Sequence, residues 1–594
     1  MTQKFKYIML AGLMATSVSC KKALDINTDP YSPTTAPINK LLPKAEENLG
    51  IALTTGASAG GISQVLEVYT HRLVVREDPD QYGATGDDFD IGTNWSGLYV
   101  STIPNLDAII TQGTKDNNMH YVGIAEILKA YAYSQLVDVY GDVPYTQADK
   151  LGNLSPKFDK GADIYASITT LLDKGITDVN TAVNSSTNPT LNLLDPGADD
   201  VIYGGVADAG SRRGGDISTP GSVSKWELAA NSIKLKLLVQ QRLKTDVTAQ
   251  VNALVAGGKL IGATAESFLV PFGPNGAYDD RNPGFGDYFA SQRGNYISPW
   301  FYEILKGVNP AIFFGNPDPR RPYYYFKQET AATVPGHPIE YRDANGFLSI
   351  YFGSQGPNAA QIQQDDMTVV GIYPVGGRYD DGKGGSVTAT SGTGAAPYRM
   401  ITYADVLFLE AEMQEVAAPN SATTTLKAAI TEAFKQVDYV ITTYVKPTQT
   451  VPTLSTLAAS TTYINNVMAE YASPTSAPGY DVVGGDKRLQ IIMTQKWISS
   501  FGSAVDAYTD YRRTGYPVLF DPKNTTMAPG GKVQPPANGN TVSKPENNNP
   551  EVAVPVTVGK NYPQTLPWAS AEITRNANAP AQKSDPSTYL PFWK

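Results

Sequence analysis

Cysteine is almost missing from this chain of 594 residues: Cys20 stands alone. A disulfide framework or a thiolate-bound cluster within the chain is therefore ruled out. Histidine is nearly as scarce, with His71, His120 and His337 the whole supply, which leaves little material for zinc chemistry and points to no bound cofactor. Basic charge is in deficit, 47 Lys and Arg against 57 Asp and Glu for a net charge of −10. That removes the electrostatic footprint that non-specific nucleic-acid binding needs, so no nucleic-acid partner is expected. Long apolar runs are also lacking after the first twenty residues, because stretches such as Val406 to Leu409 meet acids within a few positions. What is present is a globular composition, 41% hydrophobic and 18% charged, with 53 glycines and 42 prolines. A folded, loop-rich protein follows.

The N-terminus reads as an address. Lys4 and Lys6 form a basic start, Tyr7 to Met14 an apolar run far shorter than the roughly 20 residues of a spanning helix. The small residues Ser17, Val18 and Ser19 then precede Cys20, the pattern of a bacterial lipoprotein signal. We expect a signal peptide over residues 1–19, a lipidated Cys20 with a polar tether over 20–37, and one α-helical domain over 38–594. Acylation of Cys20 would hold the protein on a membrane without crossing it.

Helical periodicity dominates the domain. In YVGIAEILKAYAYSQLVDVYGDVPY, residues Ile124, Ile127, Leu128, Tyr131 and Gln135 share one stripe, with Gly141 and Pro144 as stops. Ile164, Ile168, Leu171 and Leu172 form a second stripe, spaced to fold back on the first as a hairpin. Ser224 and Glu227 suggest a capping-box start for a helix presenting Trp226, Ala230, Ile233 and Leu237. Met400, Ala404, Leu407 and Ala411 mark another helix, with Glu412 and Glu415 off that face, and TTTLKAAITEAFKQVDYV completes a second hairpin. Between the hairpins lie long Gly, Pro, Asn and Tyr-rich stretches, near 184–220, 272–395 and 520–567, which usually carry function on such scaffolds. Asp318 and Arg320 are placed to pair across a turn, and Arg512 and Arg513 to hold neighbouring loops by forked hydrogen bonds, in preference to recognising an anion. Trp95, Trp226 and Trp497 lie on or beside amphipathic patterns and favour the core, except that an Asp-rich loop before Trp95 leaves a binding role open for it as well.

Several segments in order resemble the SusD/RagB family of surface lipoproteins, in its SusD-like branch: LDINTDPYSPT, WSGLYVSTIPNLDAII, LKAYAYSQLVDVYGDVPY, KWELAANSIKLKLLVQQRL, NPDPRRPYYY, ITYADVLFLEAEM, QKWISSFGSAVDAYTDYRRTGYPVL and LPWASAEITRNAN. The resemblance spans most of the chain. It implies a mainly α fold of degenerate tetratricopeptide-like hairpins with large loop insertions, acting as the solute-binding lid of a SusC-type TonB-dependent outer-membrane transporter. Family ligands are usually glycans and for some members peptides.

Motifs of catalysis fit poorly. Gly56 to Gly60 satisfies G-x-S-x-G, yet no Val/Ile-rich strand precedes it to form a nucleophile elbow. Gly377 to Lys383 resembles a phosphate loop, but Gly384 replaces the magnesium-binding hydroxyl and Asp380 and Asp381 repel phosphate. Asp87, Asp88 and Asp90 lack the ordered loop and distal Glu of a calcium-binding EF-hand. Aromatic supply is the stronger signal, with 35 Tyr, 18 Phe and 6 Trp. Many sit in polar loops: Tyr82 and Phe89 in one, Phe285, Tyr288, Tyr296, Trp300 and Phe301 in another. Such rings cover the apolar face of a pyranose while polar neighbours bond its hydroxyls. The candidate ligand-binding residues are Arg76, Asp78, Tyr82, Phe89, Trp95, Tyr288, Arg293, Asn295, Tyr296 and Trp300, with no catalytic and no metal-binding residue. The expected function is capture of oligosaccharides and delivery to a SusC-type transporter, not catalysis; a peptide-binding lid and a surface glycosidase are the alternatives.

Overall fold

The structure is a computed structural model that describes residues 36–56, 61–75, 81–150, 152–181, 196–204, 222–277, 279–290, 295–333, 341–343, 345–355, 366–533 and 554–594. The signal sequence, Cys20 and nearly all of the tether lie outside the described residues, as do residues 57–60 of the G-x-S-x-G stretch. The fold is mainly α, with short strand pairs. Among the described residues no helix is long and apolar enough to cross a membrane.

At the centre lies the helix Met119–Tyr140, packed against Gly161–Val179 as the expected hairpin. Ile103–Lys115 and Ser222–Gln241 also cover it, and Val505–Thr514 touches it from the far end of the chain. These neighbours change its character. The expected amphipathic stripe is instead a helix buried almost all round, polar Glu126, Gln135 and Asp138 included, as befits a helix enclosed on every side. It stops at Gly141, whose φ of 79° suits glycine. Pro144 then pairs with Phe158 in a two-residue antiparallel ladder, joining this helix to the next.

The second hairpin is Tyr403–Ala417 against Thr423–Tyr439, extended by contact with Lys487–Ser499. One expectation is corrected here. Met400 belongs to the strand Tyr398–Ile401, because the helix begins only after Thr402, whose hydroxyl and the Asp405 carboxylate form a reciprocal capping box. Glu412 and Glu415, which lie off the apolar stripe, are nonetheless fully buried. Glu412 is clasped by both arms of Arg513 and by Arg242, charges that make the buried position tolerable. The proposed cap at Ser224 is also corrected, since the helix already runs from Ser222 and Ser224 falls within its first turn.

The arginine expectations hold. Arg320 chelates Asp318, with Nη2 2.6 Å from Oδ2, both fully buried, and reaches Gln495 Oε1 at 2.9 Å. Arg512 donates to the carbonyls of Tyr508, Gln564 and Asp138, joining the last helix of the scaffold to the central one. Trp95, Trp226 and Trp497 all lie in the hydrophobic core.

Candidate functional site

The loop-borne site grows from one strand pair. Leu73–Val75 runs antiparallel to Asn295–Ile297, with Val75 opposite Asn295. It brings together the two sequence regions, near 76–89 and 288–300, whose rings and polar groups drew attention. Gln81 completes the ladder's end: its Oε1 accepts from Val75 N–H at 3.2 Å and its Nε2 donates to the Val75 carbonyl at 3.1 Å. The pair is bolted to the scaffold by a buried Glu67–Arg72 ion pair of 2.6 Å. Arg72 also donates to the Trp497 carbonyl, and Gly502 N–H to Glu67. Burial pushes the Glu67 carboxyl up, which Arg72 offsets only in part.

Over this platform opens a cleft of about 460 Å³, walled by Gln64, Tyr69, Thr85, Asp88, Asp90 and Asn295 among others. No Lys or Arg lines it among the described residues. Two of its buried polar atoms have no hydrogen-bond partner within the protein, Gln64 Nε2 and Asp90 Oδ1. The orientation of Gln64 is settled by Gly56, whose N–H needs the Oε1 acceptor at 3.1 Å. Asp88 is held by the backbone N–H and hydroxyl of Thr85 at 2.8 and 2.9 Å. Burial, with Asp287 and Asp88 nearby, pushes the Asp90 carboxyl up to about 7. At neutral pH this group both accepts and donates hydrogen bonds. An unpaired amide donor and an amphoteric carboxyl suit a ligand rich in hydroxyls.

The candidate residues are divided by the structure. Arg76, Asp78 and Arg293 lie outside the described residues. Asn295 lines the cleft. Phe89 is 57% exposed at the start of the helix Phe89–Ser96, between the cleft residues Asp88 and Asp90. Tyr82 is half-buried, its hydroxyl 2.7 Å from His71 Nε2 and its ring 4.9 Å from Phe352 and 5.2 Å from Tyr562. The expectation of exposed rings fails for the others. Trp95 packs between Tyr99 and Tyr140, Tyr296 is fully buried in the strand pair, and Tyr288 lies against Phe285. Trp300 donates its indole N–H to the Val518 carbonyl at 3.0 Å. Phe285 and Phe301 are likewise fully buried. The polar loops around these rings are themselves packed onto the helices, so local composition misjudged their burial. Gln64 and Tyr69 were missed because their helix Ser63–Tyr69 is too short for its periodicity to stand out.

The sequence profile of a family described as starch-binding and associating with the outer membrane matches residues 38–536. The chain belongs to the SusD-like family. Its fold is shared with a SusD/RagB family protein from Bacteroides thetaiotaomicron at 17% identity, a TM-score of 0.63, and coverage of 94% of this chain and 99% of that one. A SusD homologue from Bacteroides fragilis is 20% identical with a TM-score of 0.56, covering 91% and 94% of the two chains. A chitin-binding SusD homologue from Flavobacterium johnsoniae is 15% identical with a TM-score of 0.58, covering 94% and 98%. No curated protein sequence matches. The chain thus belongs to a family of binding proteins that associate with the outer membrane and lack catalytic activity.

Proposed function

We propose that this SusD-like protein captures oligosaccharides in the cleft walled by Gln64, Asp88, Asp90 and Asn295 and delivers them to a SusC-type TonB-dependent transporter, held on the cell surface by a lipid on Cys20. The observation that carries this reading is that one open cleft sets the amide and carboxyl side chains of Gln64, Asp88, Asp90 and Asn295 among Val65, Val68 and Tyr69. Such a wall bonds sugar hydroxyls while covering the apolar face of the ring. The exposed Phe89 ring supplies a face on which a pyranose can stack. The chitin-binding relative and the starch-binding description of the family support a glycan over a peptide.

The test is calorimetric titration with maltoheptaose, chitohexaose, xylohexaose and a mixed peptide pool, each followed by analysis of products. Saturable binding of one glycan, weakened about tenfold or more by Gln64→Ala and by Phe89→Ala, is expected. Binding of peptides alone would replace the glycan reading with the peptide one. Glycan binding indifferent to both substitutions would move the site elsewhere.

A further inference from the structure

A second and larger cavity, of about 690 Å³, lies far from the cleft in the chain, where the turn after the central helix meets the C-terminal segment. Its walls come from two stretches, residues 140–161 and 565–592. Its volume lies within the roughly 300–1,000 Å³ typical of small-molecule sites. Aromatic and charged groups alternate around it. Trp568 forms an inner wall, fixed by its indole N–H to the Asp142 carbonyl at 3.0 Å and met edge-on by Phe158 at 5.4 Å. Tyr589 stands at the mouth, 37% exposed, beside a Leu590 that is 61% exposed. Phe592 is half-buried, its ring braced edge-on by Tyr165 at 4.8 Å.

The charge of this lining runs against that of the chain. Lys157, Lys160 and Lys583 face it with a single carboxylate, Asp142, on a protein whose net charge is −10. Lys583 is built into the wall: its Nζ donates to the carbonyls of Tyr140 and Leu566 and to the Thr565 hydroxyl, 4.3 Å from the Trp568 ring centre. Burial, and then the charge of Arg512, push its pKa well below the usual lysine range; with its N–H groups already spent on the wall, Lys583 shapes the cavity and leaves Lys157 and Lys160 to meet a ligand. Lys160 pairs with Asp142 at 2.7 Å, while Lys157 is exposed at the rim. The N-terminus of the helix Gly161–Val179 opens at the same place, and its first N–H already holds the Asp142 carboxylate at 3.0 Å.

From ring faces beside the two rim lysines, Lys157 and Lys160, we infer that this cavity is a second saccharide site, selective for sugars that carry an acidic group such as a uronate or sulfate. The inference rests on the reading of the chain as a saccharide binder, but not on the cleft. The two sites differ in the sense their linings dictate: unpaired carboxyl and amide for neutral hydroxyls in one, lysines and rings for an anionic pyranose in the other.

The test titrates the mature chain with tetragalacturonate and with a chondroitin sulfate tetrasaccharide, probes chosen for their carboxylates and sulfates. Saturable binding of at least one is expected, weakened about tenfold by Lys157→Glu and by Tyr589→Ala and weakened again by raising salt. Gln64→Ala should leave it unchanged. Both cavity substitutions are at exposed positions, and an unaltered melting temperature confirms that each variant folds. No binding of either probe, or binding insensitive to Lys157→Glu and Tyr589→Ala, overturns the inference. Loss of acidic-sugar binding in Gln64→Ala would assign it to the cleft and overturn the inference while leaving the cleft reading intact. Failure of every neutral glycan, with acidic sugars still bound at Tyr589, would do the reverse.

Discussion

Replacing Glu412 by Gln tests whether the arginines near the end of the scaffold serve structure or ligand. Glu412 is fully buried and accepts from both terminal nitrogens of Arg513 and from Arg242 Nε, which draws three helical segments together. Burial alone would raise its pKa, but Arg513 and then Arg242 overcome that and hold the carboxyl at about 2 rather than 4.5. At about 1.36 kcal/mol per pKa unit, the ionised form gains on the order of 3 kcal/mol in the folded state. That agrees with the roughly 3–5 kcal/mol lost when one partner of a buried pair is removed. The sign follows from a depressed carboxylate. The contribution is whole above pH 4.5 and is lost as pH falls toward about 2. Urea unfolding of wild type and Glu412→Gln at pH 6 and pH 3 should therefore differ by about 3 kcal/mol at the higher pH and by roughly 2 kcal/mol less at the lower. A difference below about 1 kcal/mol at pH 6, or one that does not narrow with acid, refutes the electrostatic account. If stability were unchanged and oligosaccharide affinity fell, the cluster would be a recognition element.

Asp90 should behave in the opposite sense. Its carboxyl is raised to about 7, so its favourable contribution is complete below pH 3.8 and disappears as pH rises through about 7; Asp90→Asn should gain on wild type between pH 5 and pH 8 in thermal melts, and a constant difference would discount burial as the cause. Glycan affinity should vary over the same range in wild type and be flat in Asp90→Asn, measured by titration at each pH. Trp300→Ala should cost about 3–5 kcal/mol through an unfilled core site and a lost indole bond to Val518, while native-state affinity stays unchanged; a tenfold affinity loss without destabilisation would return this ring to the binding surface. Cys20→Ser should shift the protein from the membrane to the soluble fraction of cells expressing it, and retention in the membrane would remove the lipid anchor from the proposal.

Much of the scaffold could be read along the chain because its signals are local. The Met119–Tyr140 and Gly161–Val179 hairpin follows from apolar spacing and from a glycine whose positive φ ends the first helix. The Asp318 and Arg320 pair was equally visible, since two residues across one turn cannot move far apart. Family membership was legible too, because ordered strings over most of the chain carry more information than any single motif. The site was not. Whether a ring in a polar loop faces solvent depends on what packs over that loop. Trp300 is covered by Val518 and Phe520, more than two hundred residues away in the chain. The burial of Glu412 could not be read from its helix, because Arg242 and Arg513 reach it from distant segments. The cleft exists only because Val75 pairs with Asn295, and the second cavity only because the C-terminal segment returns to Gly161. Periodicity and turn chemistry act between near neighbours and so are written in order along the polypeptide. Exposure, charge pairing and cavities arise between segments brought together by folding, and tertiary packing alone decided them.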